Sequence, residues 1–102
     1  MKKAVKKRLQ RRGWKVGSAA DFLGLSPEEE ALVEVKMELA DALRKRRQKS
    51  ELTQAELAKL IGSSQSRVAK MEAGDPSVAI DLVVRALLAI GVRPKQIAAA
   101  LT

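Results

Sequence analysis

Gln65, Ser66, Arg67 and Lys70 lie within one short stretch, and each carries a side chain that can exchange hydrogen bonds with a nucleotide base. A glutamine amide pairs bidentately with adenine, arginine or lysine donates to guanine, serine serves either, and a methyl such as that of Ala69 or Ala73 lies against thymine. Projected at about 100° per residue, Val68 and Met71 mark the buried side of a helix over residues 65–73. Ser66, Ala69, Lys70 and Ala73 then face outward, with Gln65 and Arg67 on the flanks. Periodicity by itself reads this as the solvated side of an amphipathic helix. The residue types add a second reading, a short unobstructed surface that a major groove would accept.

Catalytic chemistry finds no comparable grouping. The chain has no His, Cys or Tyr, and Ser64 and Ser66 have no neighbouring base to activate them. Glu28, Glu29 and Glu30 cluster where a helix begins, the place where exposed acids complement the helix dipole rather than hold a metal. The expectation is a protein that is not an enzyme and carries no cofactor and no metal.

The elements that must position these residues can be read from their caps. Ser26-Pro27-Glu28-Glu29 combines an N-cap, a proline at the first helical position and an acid at the third, which starts a helix. Leu32, Val35, Leu39, Ala42 and Leu43 continue at helical spacing, and the basic run Arg44–Lys49 suits its C-terminal end, so it should span about Pro27 to Lys49. Thr53-Gln54-Ala55-Glu56 repeats the capping box ahead of a two-turn helix that Gly62 stops, with Leu57, Ala58 and Ile61 inward. Ser63 or Ser64 caps the next helix, which ends at Gly74; Asp75-Pro76-Ser77 leads into a helix over Val78 to Ile90, and Pro94 opens a last one to Leu101. Small Ala58, Gly62 and β-branched Val68 fall where a tightly crossed helix pair needs them.

At 102 residues the chain fits one domain, and its apolar 46% is almost wholly Ala, Leu, Val and Ile, with Trp14 and Phe22 the only aromatics, which favours an aliphatic helical core. No cysteine calls for an oxidising compartment and no stretch is long enough for a membrane span, so a cytoplasmic protein with no membrane partner is expected. The net charge of +8 is concentrated at the start: Lys2, Lys3, Lys6, Lys7, Arg8, Arg11, Arg12 and Lys15 precede the first acid, Asp21, and the remainder is balanced at 12 basic and 12 acidic residues. Residues 1–25 therefore form a basic N-terminal extension, able to touch phosphate or to remain solvated. Residues 26–102 form the helical domain, with the central unit over about 53–74.

The runs Thr53-Gln54-Ala55-Glu56-Leu57-Ala58, Gly62-Ser63-Ser64-Gln65-Ser66-Arg67-Val68 and Met71-Glu72-Ala73-Gly74 resemble the XRE/Cro family of phage-repressor-like regulators, over about residues 38–92. The resemblance implies an all-α, compact five-helix helix-turn-helix domain that binds double-stranded DNA as a homodimer. Its third core helix would enter the major groove of a pseudo-palindromic operator. Carried over by position, it makes Gln65, Ser66 and Lys70 base-reading residues and Arg67 a base or backbone contact; Gln54 and Ser64 would meet phosphate, and Arg47 and Glu72 would form a structural ion pair. The chain departs from the family pattern at Glu51, where glycine is frequent, at Ser63, where an apolar residue is frequent, and at Asp75, in a loop that approaches phosphate in many relatives.

Trp14-Lys15-Val16-Gly17 through Asp21-Phe22-Leu23-Gly24-Leu25, ahead of the long helix, resembles HigA-like antitoxins of toxin-antitoxin operons. That resemblance implies an autoregulating repressor that also neutralises a RelE/HigB-like toxin, with Val16, Phe22, Leu23 and Leu25 docking on it. Alternatively, Trp14 and Phe22 fold back over the core helices. A helical protein-interaction module that does not read DNA is the other functional class, and it predicts that the outer face of helix 65–73 tolerates charge reversal. Val92, Ile97 and Leu101 form either a dimer interface or part of the core.

Overall fold

The computed structural model describes residues 26–101, and among them it contains five helices and no strand. They are α1 (Pro27–Lys49), α2 (Gln54–Leu60), α3 (Gln65–Ala73), α4 (Ile80–Ala89) and α5 (Pro94–Ala100). The chain divides after Met37 into two compact units, and the second, from Glu38 onward, contains every residue of the site below. The basic arm and the toxin-contact candidates Val16, Phe22, Leu23 and Leu25 lie outside the described residues.

The first three helix starts follow from side-chain caps. Ser26 Oγ accepts from the Glu29 amide at 3.2 Å and the Glu29 carboxylate accepts from the Ser26 amide at 3.4 Å, which opens α1. Thr53 and Glu56 make the same reciprocal pair at 3.1 and 2.9 Å ahead of α2. Ser64, rather than Ser63, caps α3, its Oγ accepting from the Arg67 amide at 3.1 Å.

Four of the five helix ends share one motif. Ser63 N donates to Ala58 O and Gly62 N to Lys59 O; Asp75 N donates to Lys70 O and Gly74 N to Met71 O; Val92 N donates to Leu87 O and Gly91 N to Leu88 O. This is the Schellman closure, which places one residue in the left-handed region so that otherwise unpaired carbonyls find donors. At the end of α1, Leu52 N donates to Arg47 O and Glu51 N to Gln48 O, but the left-handed position is held by Glu51, at φ 57°. The chain has no glycine to turn on there, and it adopts the glycine conformation anyway, with the strain that a Cβ brings to it.

Leu39, Ala40 and Leu43 of α1, Leu57 and Ala58 of α2, Val68 and Met71 of α3, Val78, and Val83, Ala86 and Leu87 of α4 are all buried. The core is thus aliphatic, as composition required. α2 and α3 pack together, and Ala58 of α2 is buried, so a larger side chain there would crowd the core around the pair.

Two expectations need correction. The fourth helix begins at Ile80 rather than Val78, because Asp75 ties the preceding turn: its Oδ1 accepts from both Ser77 N and Ser77 Oγ, at 2.8 and 2.6 Å, and its carbonyl accepts from Val78 N. Val78 still contributes its side chain to the core, but from the loop. Ile61 is only half-buried, since it is the C-cap residue at which α2 has already turned. Val92 and Ile97 are half-buried and Leu101 is 40% exposed.

Candidate nucleic-acid interface

α3 is the element on which the candidate residues converge. Its buried side consists of Val68, Met71 and Glu72, while Gln65, Ser66, Arg67, Lys70 and Ala73 are exposed and Ala69 is half-buried. Ser66 and Lys70 are exposed on the outward side that periodicity assigns them and Gln65 and Arg67 are exposed on its flanks, whereas Ala69, expected outward, is half-buried. Ser64, Ser66, Arg67 and Lys70 line one wall of an open cleft of about 190 Å³, whose other wall is Ser77, Val78 and Leu82 from the following turn and α4. Two cations and three hydroxyls around one concave surface suit a phosphate-bearing polymer. Ser77 and Leu82 were not among the sequence candidates; the Asp75-Pro76-Ser77 turn was the available signal.

Behind this face lies a buried ion pair. Arg47 comes from α1 and Glu72 from α3, 25 residues apart, with side chains 12% and 4% exposed. The contact is bidentate: Arg47 Nε donates to Glu72 Oε2 at 2.5 Å and Nη2 donates to Oε1 at 3.0 Å. Nη1 donates to the Leu52 carbonyl at 2.7 Å, so one guanidinium also holds the loop between α1 and α2. The planar fork of arginine fits this geometry and a lysine would not. The hydrogen bond to Glu72 pushes the Arg47 pKa further above its ordinary value, so this cation stays charged wherever the protein is folded. Its neighbour Arg46 reaches the opposite way, Nε donating to the Ile90 carbonyl at 3.4 Å beyond the end of α4. Consecutive arginines thus tie α1 to α3 and to α4, and sequence reading had identified only the first.

Gln54 differs from its sequence reading. Its side chain is not simply directed at solvent: Nε2 donates to Glu72 Oε1 at 3.2 Å, and Oε1 accepts from Gln65 Nε2 at 2.8 Å. Ser64 is exposed, and the bond its Oγ accepts from Arg67 N leaves its hydroxyl proton available to an outside acceptor. Near the turn between α2 and α3, Ser63 Oγ is buried and has no hydrogen-bond partner among the described residues.

Two helices joined by a tight left-handed turn, the second presenting a polar and basic outer face, are the architecture of a helix-turn-helix DNA-binding domain. A family model described as helix-turn-helix matches residues 43–97, more than half of the chain, and the chain belongs to that family. It is a DNA-binding transcription regulator of the XRE type, from a family whose work is regulatory rather than catalytic. No curated protein and no solved structure matches it. No described helix is long and apolar enough to cross a membrane.

Proposed function

We propose that the protein is a homodimeric repressor that inserts α3 into the major groove of a pseudo-palindromic operator. Gln65, Ser66 and Lys70 read base edges, and Arg67 contacts a base or the backbone beside them. The observation that carries this reading is the exposed polar and basic side of α3, held against α2 by a closed turn and tied to α1 by a buried ion pair. Ser64, through its hydroxyl proton, and Gln54, through the N–H it does not share with Glu72, meet the flanking phosphates. One such helix covers half a site, so two copies about one DNA turn apart, roughly 34 Å, complete the contact.

The test is salt-dependent binding to the DNA upstream of the protein's own coding sequence, comparing wild type with a Gln65→Ala/Lys70→Glu double variant. Wild type should show sequence preference and a steep loss of affinity with salt, and the variant should lose the preference. Equal binding by both would leave the interaction-module reading in its place. A finer reading, autoregulating antitoxin, rests on the resemblance of Trp14–Leu25 to HigA-like proteins. It predicts that a RelE/HigB-like ribonuclease co-purifies with the full chain and is released by Phe22→Asp; a chain that inhibits no such ribonuclease is a repressor alone.

A further inference from the structure

The hydroxyls that line the cleft beside α3 do not all offer the same thing to an anion. Ser64 Oγ accepts from the Arg67 amide and keeps its own proton to give. Ser77 Oγ, on the opposite wall, donates to Asp75 Oδ1 at 2.6 Å, because a carboxylate accepts and has no proton to return. The Ser77 amide donates to the same oxygen at 2.8 Å, the Val78 amide donates to the Asp75 carbonyl at 3.1 Å, and Pro76 has no amide hydrogen. All the hydrogen-bond donors of residues 76–78 are therefore turned toward Asp75. A phosphate oxygen only accepts, so this wall has nothing to give it, while Arg67 and Lys70 line the wall that α3 supplies.

We propose that Asp75 is a positioning residue that turns the Ser77 donors away from DNA and so limits the sequence-independent part of the protein's affinity. This rests on the reading that α3 enters the major groove, which brings the cleft beside it to the sugar-phosphate backbone. It deepens that reading by giving phosphate binding to one wall of the cleft and withholding it from the other. Phosphate contacts raise affinity for any sequence, whereas base contacts discriminate. The contact that Asp75 withholds is lost to operator and unrelated DNA alike, which leaves discrimination to the exposed side of α3. Removing the acceptor at position 75 releases the Ser77 hydroxyl, and the turn then gains a phosphate contact in each copy of the dimer.

The experiment uses the full-length protein and two duplexes, one selected by the wild type from a random pool and one of scrambled sequence and equal length. Affinity is measured for wild type, Asp75→Asn and Asp75→Ala, each with and without Ser77→Ala, and circular dichroism checks the fold of every variant. Asp75→Asn and Asp75→Ala carry the same charge, but only the asparagine keeps an oxygen that can accept from Ser77. Asp75→Ala should therefore bind both duplexes about tenfold more tightly than Asp75→Asn, the effect of roughly one ordinary hydrogen bond gained per copy. Ser77→Ala should cost several-fold more affinity in the Asp75→Ala background than in the wild type, because there the hydroxyl proton is free for phosphate. Neither the loss of a charge nor a loosened turn predicts that dependence on Ser77. If Asp75→Ala does not fold, Asp75→Glu keeps the charge, moves the acceptor out by one methylene and should show the same dependence. Equal affinities for Asp75→Asn and Asp75→Ala, or an equal cost of Ser77→Ala in every background, would overturn the proposal, since Asp75 would then act by its charge alone. A wild type that binds the two duplexes alike removes the α3 reading and this inference with it. A wild type that discriminates between them, beside an Asp75→Ala variant that binds no tighter, removes this inference alone.

Discussion

Replacing Arg47 by methionine would strand the Glu72 carboxylate, and the cost can be worked from its surroundings. Glu72 is 5% exposed, and in the variant it keeps one hydrogen bond, from the neutral Gln54 amide, in place of three. The Leu52 carbonyl loses its guanidinium donor at the same time. Two charge-assisted bonds at about 1.5–3 kcal/mol each give roughly 3–6 kcal/mol. Water that reaches the 12% exposed Arg47 side moderates this, so about 3 kcal/mol is expected, at the low end for breaking a buried pair. At roughly 4–8 °C per kcal/mol for a domain of this size, the melting temperature should fall by about 12–24 °C. Thermal and urea unfolding followed by circular dichroism measure it. The double variant Arg47→Met/Glu72→Met removes both charges and should recover to within about 1 kcal/mol of wild type, because most of the single-variant loss is the unpaired charge. A loss below about 1 kcal/mol for Arg47→Met, or a double variant as unstable as the two singles summed, would refute the reasoning.

Three further outcomes are expected. Glu51→Gly should raise stability by about 1 kcal/mol in urea unfolding, because glycine adopts the left-handed C′ conformation without the Cβ strain that Glu51 carries; an unchanged or lower midpoint would show that the strain is negligible. Ser63→Ala should also stabilise, by about 1 kcal/mol, through removal of an unsatisfied buried hydroxyl, and a destabilised variant would reveal a partner for that group. The bond from the Thr53 amide holds the Glu56 carboxyl below its ordinary 4.5, so the capping box stabilises the fold above that value, and its contribution fades as pH falls through the lower folded-state value. Wild type and Glu56→Gln should therefore converge in stability as pH is lowered from 7 to 3, and parallel curves would refute the assignment.

The helix boundaries that were legible in the sequence are those written in a few adjacent residues. Ser26-Pro27-x-Glu29, Thr53-x-x-Glu56 and Gly74 are local devices whose partners lie within about one turn, so their spacing suffices, whereas adjacent Ser63 and Ser64 offered two equivalent caps and only the fold selects Ser64. The start of α4 was misplaced because Ala79 caps it without a side-chain bond, and nothing in Val78-Ala79-Ile80 distinguishes loop from helix. The exposed side of α3 followed from periodicity. The Arg47–Glu72 contact came only with the family resemblance, which no spacing rule would yield across 25 residues. The link from Gln65 through Gln54 to Glu72 escaped both, because it spans two helices and depends on which end of an amide points inward.

The division of labour along α3 has a consequence for how such regulators diversify. The Ser66 and Lys70 side chains are exposed, and the hydrogen bonds that frame the helix pair come from other side chains and from the backbone. Exchanges at surface positions of this kind commonly alter stability by no more than about 0.5 kcal/mol. Under the proposed reading, a duplicated copy of this protein can therefore drift to a new operator at Ser66 and Lys70 while its fold is untouched, and two copies in one cell can stop competing for the same DNA. Gln65 is hydrogen-bonded to Gln54 and through it to buried Glu72, so under the same reading its partner base should be the feature that descendants still share after the rest of their operators have diverged.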